Sequence, residues 1–466
     1  MKPAIPGLPF VAALLLAGCA ATPSRQLPTQ ELQSAWSGSP ADANASVDAR
    51  TAAWWRLFGD PLLDSLVAQA EARNLDLRSA EAGVREARAL RAGAGAAMLP
   101  QIDATASFSR GRSLQAGDGR ESAILGGEAS WELDLFGRLR SERRASIAEL
   151  QASEADRDAV RLTLLAEVTR SYLEYRLYRV QHDLAVKTSE AQARTLRITE
   201  ARFLQGMGSR LDVERAQALL ATTRASVPQA EELAASAFHR LVLLTASTPE
   251  ALAAQLPPQA TVAALPTGDA RAVLLTPTQV LAQRPDVRAA ERRLVAANAT
   301  LAATQALRYP QLNLTALLGV ESDDASQLLD GSRTWSVGAG LLAPLFDFGR
   351  IRAAIDVADA REEQAFIGYE RTVRMALQEA QTALVLYTQG QLRQQELARA
   401  AESSRRAAQL ARRQYEQGAL SLFEVLDAER SLYDAERDWS SALAEVSLRL
   451  VGLYQTMGVV PPRTSG

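Results

Sequence analysis

The chain has 466 residues, with 51 Lys and Arg against 54 Asp and Glu, so its formal net charge is −3. That balance lacks the basic surplus of a nucleic-acid-binding protein. Aromatic residues make up only 5%, and long stretches rich in Ala, Leu, Arg, Glu and Gln favour long helices over an all-β fold. One Cys and two His exclude an internal disulfide and argue against a metal site.

The amino terminus has the pattern of a secretory signal. An apolar run covers residues 8–17, which is too short to span a bilayer, and small residues follow it. The ending LAGC, residues 16–19, resembles the lipobox of bacterial lipoproteins. That resemblance implies cleavage before Cys19, which would carry an S-diacylglycerol and an N-acyl chain such as palmitate. Several chains give stable anchoring, and Ala20 after the Cys favours the outer membrane.

An internal duplication follows, at a spacing of 210 to 212 residues. Three sequence blocks recur in the same order: residues 74–81 with 284–291, residues 99–103 with 309–313, and residues 136–140 with 348–352. A fourth set, Phe203, Gly206, Ser209 and Val213, matches Tyr415, Gly418, Ser421 and Val425. Each half is therefore predicted to form one structural unit.

The hydrophobic period predicts the same order of elements in both halves. A helix is expected over residues 61–97 and again over 277–307, closed by Pro100 and Pro310. Two strands come next. A helix then starts near Gly137 and Gly349, breaks near residues 206–208 and near Gly418, and is followed by another helix. The first of these long helices would reach roughly 100 Å at 1.5 Å per residue.

Four segments alternate between apolar and polar residues: 101–108, 128–135, 311–316 and 334–341. Such segments, each near ten residues, are typical of a transmembrane β-barrel with lipid outside and water inside. A soluble sheet with one face on a core has the same alternation. The lipoprotein signal and the lack of an apolar helix of spanning length favour the barrel.

Four strands are too few to close a membrane barrel, since the smallest have about 8. An open edge in lipid leaves backbone groups unpaired, so the barrel must be shared between chains. Two, three or four copies would give 8, 12 or 16 strands, and the strand count alone does not determine the number of copies.

The chain closely resembles the TolC-like outer-membrane factors, and especially their lipoprotein branch. The motifs are WWRLFGDPLL at 54–63, RPDVRAAE at 284–291, FDFGRIR at 346–352 and VLDAERSL at 425–432, and the resemblance covers residues 50–457. It implies a homotrimer in which a 12-helix α-barrel continues a 12-stranded β-barrel. It also implies a periplasmic adaptor and an inner-membrane pump of the resistance–nodulation–division type as partners.

The implied function is a passive exit duct of a tripartite efflux system, which expels drugs or other small molecules and so supports antibiotic resistance. Neither catalysis nor a cofactor is expected beyond the lipid on Cys19, and the sequence contains no catalytic nucleophile or phosphate-binding motif. The alternative is the same architecture serving type I protein secretion. A third hypothesis is a lipoprotein that spaces the outer membrane from the wall.

A passive duct must be shut at rest, and the resemblance places the constriction at the periplasmic tip. Asp427 matches its pore-facing acidic position, Arg430 the nearby basic position and Phe423 an apolar ring. Asp427 and Arg430 are three residues apart on a helix and so share a face. The position aligned with Asp427 in the first half is Arg215, so the two halves are predicted to bring different chemistry to the tip.

The predicted organisation has six parts. They are a signal peptide at 1–18, a lipidated segment at 19–59, a first repeat at 60–248, a linker or equatorial segment at 249–276, a second repeat at 277–456 and a tail at 457–466.

Overall fold

The computed structural model describes residues 53–112, 119–256, 265–268 and 275–460. The predicted signal peptide and Cys19 lie outside the described residues. The first half contains a 3-10 helix at Trp54–Phe58 and then α1 Pro61–Arg73, α2 Leu75–Ala96, β1 Gln101–Arg112, β2 Gly119–Leu133, α3 Arg138–Leu204 and α4 Arg210–Thr245. The short helix α5, Pro249–Ala253, follows.

The second half repeats that order. Its elements are α6 Pro277–Gln283, α7 Pro285–Ala306, β3 Gln311–Ser322, β4 Ser332–Leu342, α8 Arg350–Glu416 and α9 Leu422–Thr456, with a 3-10 helix Ala325–Asp330 between the strands. The predicted duplication and the two long helices are confirmed, and α3 and α8 are both 67 residues long. Among the described residues, no helix is both long and apolar enough to cross a bilayer.

The predicted helix over 61–97 is wrong in one respect, because it is broken at Asn74. That residue has an extended ψ of 135°, and its side-chain Oδ1 accepts the backbone N–H groups of Asp76 and Leu77. It therefore starts a new helix.

The matching helix over 277–307 is broken at Arg284 for a different reason. Pro285 follows, and a residue before proline is pushed out of the helical region.

The second correction concerns the end of β2, which was predicted to continue to residue 135 and instead stops at Leu133. The Asp134 carboxylate accepts the backbone N–H groups of Leu139 and Arg140. Asp134 thus satisfies the first free donors of α3, so it belongs to the start of the helix rather than to the strand.

The described residues fall into two compact units. The sheet unit contains Ala82–Ala155 and Arg288–Arg371, and therefore all four strands. The helix unit contains the described residues of Glu31–Glu81, Asp156–Val287 and Thr372–Gly466. Both long helices contribute residues to each unit.

The core of the helix unit is built around the beginning of the described chain. The Trp54 ring is fully buried and stacks on Tyr454 of α9 at a centroid distance of 5.3 Å. The Tyr172 hydroxyl donates a hydrogen bond of 2.6 Å to Asp60, and Arg176 donates to the Asp60 carboxylate and to that hydroxyl. Burial, followed by the bond to Asp60, raises the pKa of Tyr172. The motif at 54–63 therefore anchors this segment to α3 and α9.

Candidate functional site: the sheet faces and the helical tip

The four described strands form one antiparallel sheet in the order β1-β2-β3-β4. Residues paired across adjacent strands lie on the same face, so the register fixes which side chains are neighbours. One row of the sheet reads Ile102, Ala129, Ala316 and Val337. The adjacent row reads Asp103, Glu128, Leu317 and Ser336 and points to the opposite face.

The two faces differ in polarity over most of the sheet. The apolar face carries Ile102, Ala104, Ala106 and Phe108 of β1, Leu125, Ala129, Trp131 and Leu133 of β2, Leu312, Leu314, Ala316 and Leu318 of β3, and Trp335, Val337, Ala339 and Leu341 of β4. The other face carries mainly Gln, Asp, Glu, Asn, Ser and Thr. The predicted alternation is confirmed, and apart from the end of β2 the strands extend beyond the predicted segments.

The apolar face is open to its surroundings in the single chain. Ile102 on β1, Leu318 on β3 and Val337 on β4 are 71–77% exposed. A soluble sheet would cover such a face with a core. Contiguous exposed apolar surface of this kind marks contact with lipid or with another protein.

The first and last strands of the sheet each have one free edge, because β1 pairs only with β2 and β4 only with β3 among the described strands. β1 and β4 run in opposite directions, since each of the three pairings is antiparallel. The β4 edge of one sheet can therefore pair antiparallel with the β1 edge of another copy. Pairing satisfies backbone groups that lipid would leave without partners.

The polar face carries carboxylates, and some of them are paired. Arg138 donates two hydrogen bonds to the Glu132 carboxylate, the shorter at 2.6 Å. Asp103 and Glu128 lie directly opposite each other in the register. Acidic groups on this face suit an aqueous surface.

At the other end of the long helices, α3 turns into α4 and α8 turns into α9. Gly206 and Gly418 both have a φ of +76°, which only glycine adopts without strain. Apolar residues from all four helices pack here, among them Leu196, Leu219, Tyr415 and Leu422. We call this region, residues 194–223 and 405–436, the tip.

The predicted gate residues Phe423, Asp427 and Arg430 lie on α9 at the tip. Arg430 Nη2 bonds Asp427 Oδ1 at 2.7 Å, and both side chains are about half exposed. Phe423 is also half exposed. The guanidinium of Arg215, the position aligned with Asp427, lies 5.3 Å from the centre of the Phe423 ring. The three residues are thus accessible on the tip, and their role as a gate stays a prediction.

A buried ion pair at the tip escaped the sequence reasoning. Glu429 on α9 is only 2% exposed and accepts a 2.8 Å hydrogen bond from Arg412 on α8, which is 43% exposed. Thr195 of α3 makes a longer contact of 3.4 Å with the same carboxylate oxygen. The spacing of Glu429 in the sequence could have indicated that it is buried, because it lies on the same helix face as the apolar residues Leu422, Val425, Leu426 and Tyr433.

A second ion pair joins the same two helices, seven residues before Arg412 on α8 and seven residues after Glu429 on α9. The Arg405 guanidinium lies 2.8 Å from the Glu436 carboxylate. The hydrogen bond to Glu436 raises the pKa of Arg405. The helices α8 and α9 are therefore joined at the tip by two ion pairs in succession.

Comparison with known proteins identifies the family. The family model described as "Outer membrane efflux protein" matches residues 66–247 and 276–459, so the chain belongs to that family. It is 33% identical to the pyoverdine export outer membrane protein OpmQ of Pseudomonas aeruginosa, over 96% of this chain and 95% of the relative. It is 31% identical to the cation efflux system protein CusC of Escherichia coli, over 97% and 98% respectively.

Solved structures agree with this assignment. The structure of the outer-membrane channel OprN superimposes with a TM-score of 0.85 at 35% identity, covering 94% of this chain and 99% of that one. The chain is thus a TolC-like outer-membrane factor and functions as the outer-membrane channel of an efflux system. Its place is the outer membrane. Neither relative is named for protein secretion, so the efflux interpretation is favoured over the type I alternative.

Proposed function

We propose that three copies of this chain form a passive exit duct for small molecules. The observation that carries the proposal is the four-stranded sheet, which has an exposed apolar face and two free edges that run in opposite directions. Three copies joined from β4 to β1 give a closed barrel of 12 strands, with the acidic polar face toward the water-filled interior. A solved relative, the outer-membrane channel OprN, is a channel protein.

The duct is proposed to work with a periplasmic adaptor and an inner-membrane pump of the resistance–nodulation–division type. The relatives named for pyoverdine export and for cation efflux support an export role. The chain needs no energy source of its own in this scheme, because the pump drives transport and selects the substrate. In the same scheme Cys19 carries lipid chains that tether the amino terminus to the outer membrane.

The proposed gate is the tip, with Asp427 repeated three times around the axis. A ring of carboxylates in a narrow neck repels itself and attracts cations. The exposed pair between Asp427 and Arg430 is worth under about 1 kcal/mol, so it does not hold the tip shut within one chain. Contacts between neighbouring tips would do so, and adaptor docking would compete for them.

The duct and its gate are tested by single-channel recording in planar bilayers. We expect the wild-type protein to conduct ions with long closed periods, and Asp427→Ala to raise the mean current several-fold at the same voltage. Glu214→Ala, which removes an exposed acidic residue of α4 that is paired with Arg210, is the matched control and should change the current less. A wild-type protein that does not conduct would contradict the duct. A conducting protein whose Asp427→Ala variant behaves like wild type would contradict only the gate.

A further inference from the structure

We propose that the sheet unit contains a binding site for a phosphate-bearing anion, supplied by a phospholipid headgroup of the periplasmic leaflet. The site is a cleft of about 660 Å³ between the start of α3 and the end of α7. Arginines from α3 (Arg140, Arg143 and Arg144) and from the turn after α7 (Arg308) line it. Among the described residues that line the cleft, none is acidic. We call this the arginine cleft.

The three α3 arginines lie on one face of their helix. Positions 140, 143, 144 and 147 are spaced so that their side chains share a face, and Ile147 also lines the cleft. The charge of Arg140 is partly neutralised by the Asp134 carboxylate, 3.1 Å from its Nε. The Arg144 guanidinium donates hydrogen bonds to the Arg140 carbonyl oxygen and to the Ser141 hydroxyl. Arg143 and Arg308 are exposed, and neither side chain makes a hydrogen bond or an ion pair with the part of the chain that the structure describes.

Arg143, Arg144 and Arg308 face one cleft with no carboxylate bonded to them among the described residues, so their charges repel one another, and an anion relieves that repulsion. Arginine suits phosphate in particular, because its planar group can donate two parallel hydrogen bonds to phosphate oxygens. The stacked rings of Phe136 and Tyr309, 4.8 Å apart, form an apolar part of the lining. A ligand with a phosphate head and an apolar portion would match both surfaces.

The position of the cleft points to lipid as the source. It begins where β2 ends at Leu133 and where β3 starts at Gln311. Exposed apolar side chains follow β4 at the same end of the sheet, namely Leu345, Phe346 and Phe348. Apolar and aromatic belts of this kind mark the interface of a membrane barrel, and basic pockets beside that interface bind anionic headgroups. This step rests on the proposed placement of the sheet in the outer membrane.

The duplication provides an internal comparison. A second cleft of similar size, about 640 Å³, lies between α7 and α8 in the same unit, and Arg361 is the only arginine among the described residues that line it. The positions aligned with Arg143 and Arg144 are Ile355 and Asp356, and Met98 is aligned with Arg308. The arginine cluster is therefore not a general property of these helices. It arises where the first half's α3 meets the second half's α7.

The test uses the full-length protein in detergent, titrated with phosphatidylglycerol and separately with zwitterionic phosphatidylcholine. Native mass spectrometry would count the lipids that remain bound. We expect wild type to bind phosphatidylglycerol at least fivefold more tightly than phosphatidylcholine. The double variant Arg143→Gln/Arg308→Gln should lose most of that preference, whereas Arg361→Gln in the second cleft should keep it.

Inorganic phosphate distinguishes the two possible sources of the anion. If millimolar phosphate leaves phosphatidylglycerol bound, the site is a lipid site as proposed. If phosphate displaces the lipid from wild type, the cleft takes a free anion and the assignment to lipid is overturned. Equal binding of both lipids by wild type would overturn the site altogether, even if the double variant failed to fold. Ion conductance of the same wild-type sample reports separately on the proposed duct.

Discussion

The two halves of the chain share one order of elements but differ at several charged positions of their helices. At the tip the second half buries Glu429 against Arg412, while the aligned positions in the first half are Gln217 and Glu200, both exposed. At the membrane end the first half carries Arg143 and Arg144, where the second half has Ile355 and Asp356. Duplication has thus preserved the backbone plan, whereas the charged groups that specialise each end occur in one half only.

The largest expected effect comes from the buried ion pair. Arg412→Ala would leave the Glu429 carboxylate without its cation, and because Arg412 is itself 43% exposed the expected cost is about 1–3 kcal/mol. We expect a matching fall in the free energy of unfolding, measured by denaturant titration of the purified protein in detergent. Glu200→Ala at the aligned position in the first half should change stability by less than about 0.5 kcal/mol. Equal effects of the two substitutions would mean that the halves do not differ in this way.

A smaller difference in stability is expected between substitutions at the residues just before α4 and just before α9, the two helices that begin at the tip. Ser209 caps α4, since its hydroxyl accepts the Asp212 N–H at 3.1 Å and the Asp212 carboxylate bonds back to Ser209. The aligned Ser421 makes no side-chain cap for α9. Ser209→Ala should therefore cost about 1 kcal/mol, and Ser421→Ala only a few tenths, in the same denaturant titration. A larger loss from Ser421→Ala would reverse the comparison.

The smallest effect concerns the contact between the halves at the tip. The Arg215 guanidinium lies over the Phe423 ring, and an exposed cation–π contact contributes about 0.5–1 kcal/mol. We expect Arg215→Gln to lower the free energy of unfolding by that amount in the wild-type background. In a Phe423→Leu background the same substitution should cost almost nothing, which a double-mutant cycle would measure. A cost that stayed the same in both backgrounds would show that the ring contact contributes nothing.

Much of the fold could be predicted because the repeated blocks and the two hydrophobic periods are strong signals. The predicted helix starts near Gly137 and Gly349 and the four strands are confirmed. The break at Asn74 was missed because it depends on one side chain capping the next helix, which periodicity does not register. The end of β2 was missed for the same reason, since Asp134 fits the strand alternation and yet caps α3.

The charged sites were harder to predict than the fold. Glu429 lies between Asp427 and Arg430 in a charged motif, and it is distinguished only by its place in the apolar stripe of α9. The arginine cleft combines residues 143 and 308, which only the folding of α3 beside α7 brings together. The gate residues were taken from family resemblance, and the single chain shows only that they are accessible.

The central claim is that the open sheet is completed by further copies of the chain. Native mass spectrometry of the protein extracted from the outer membrane tests this directly. The account predicts one dominant species with the mass of three mature chains, each with lipid on its first residue, Cys19. A stable species with the mass of one chain, in protein that still conducts ions, would contradict it.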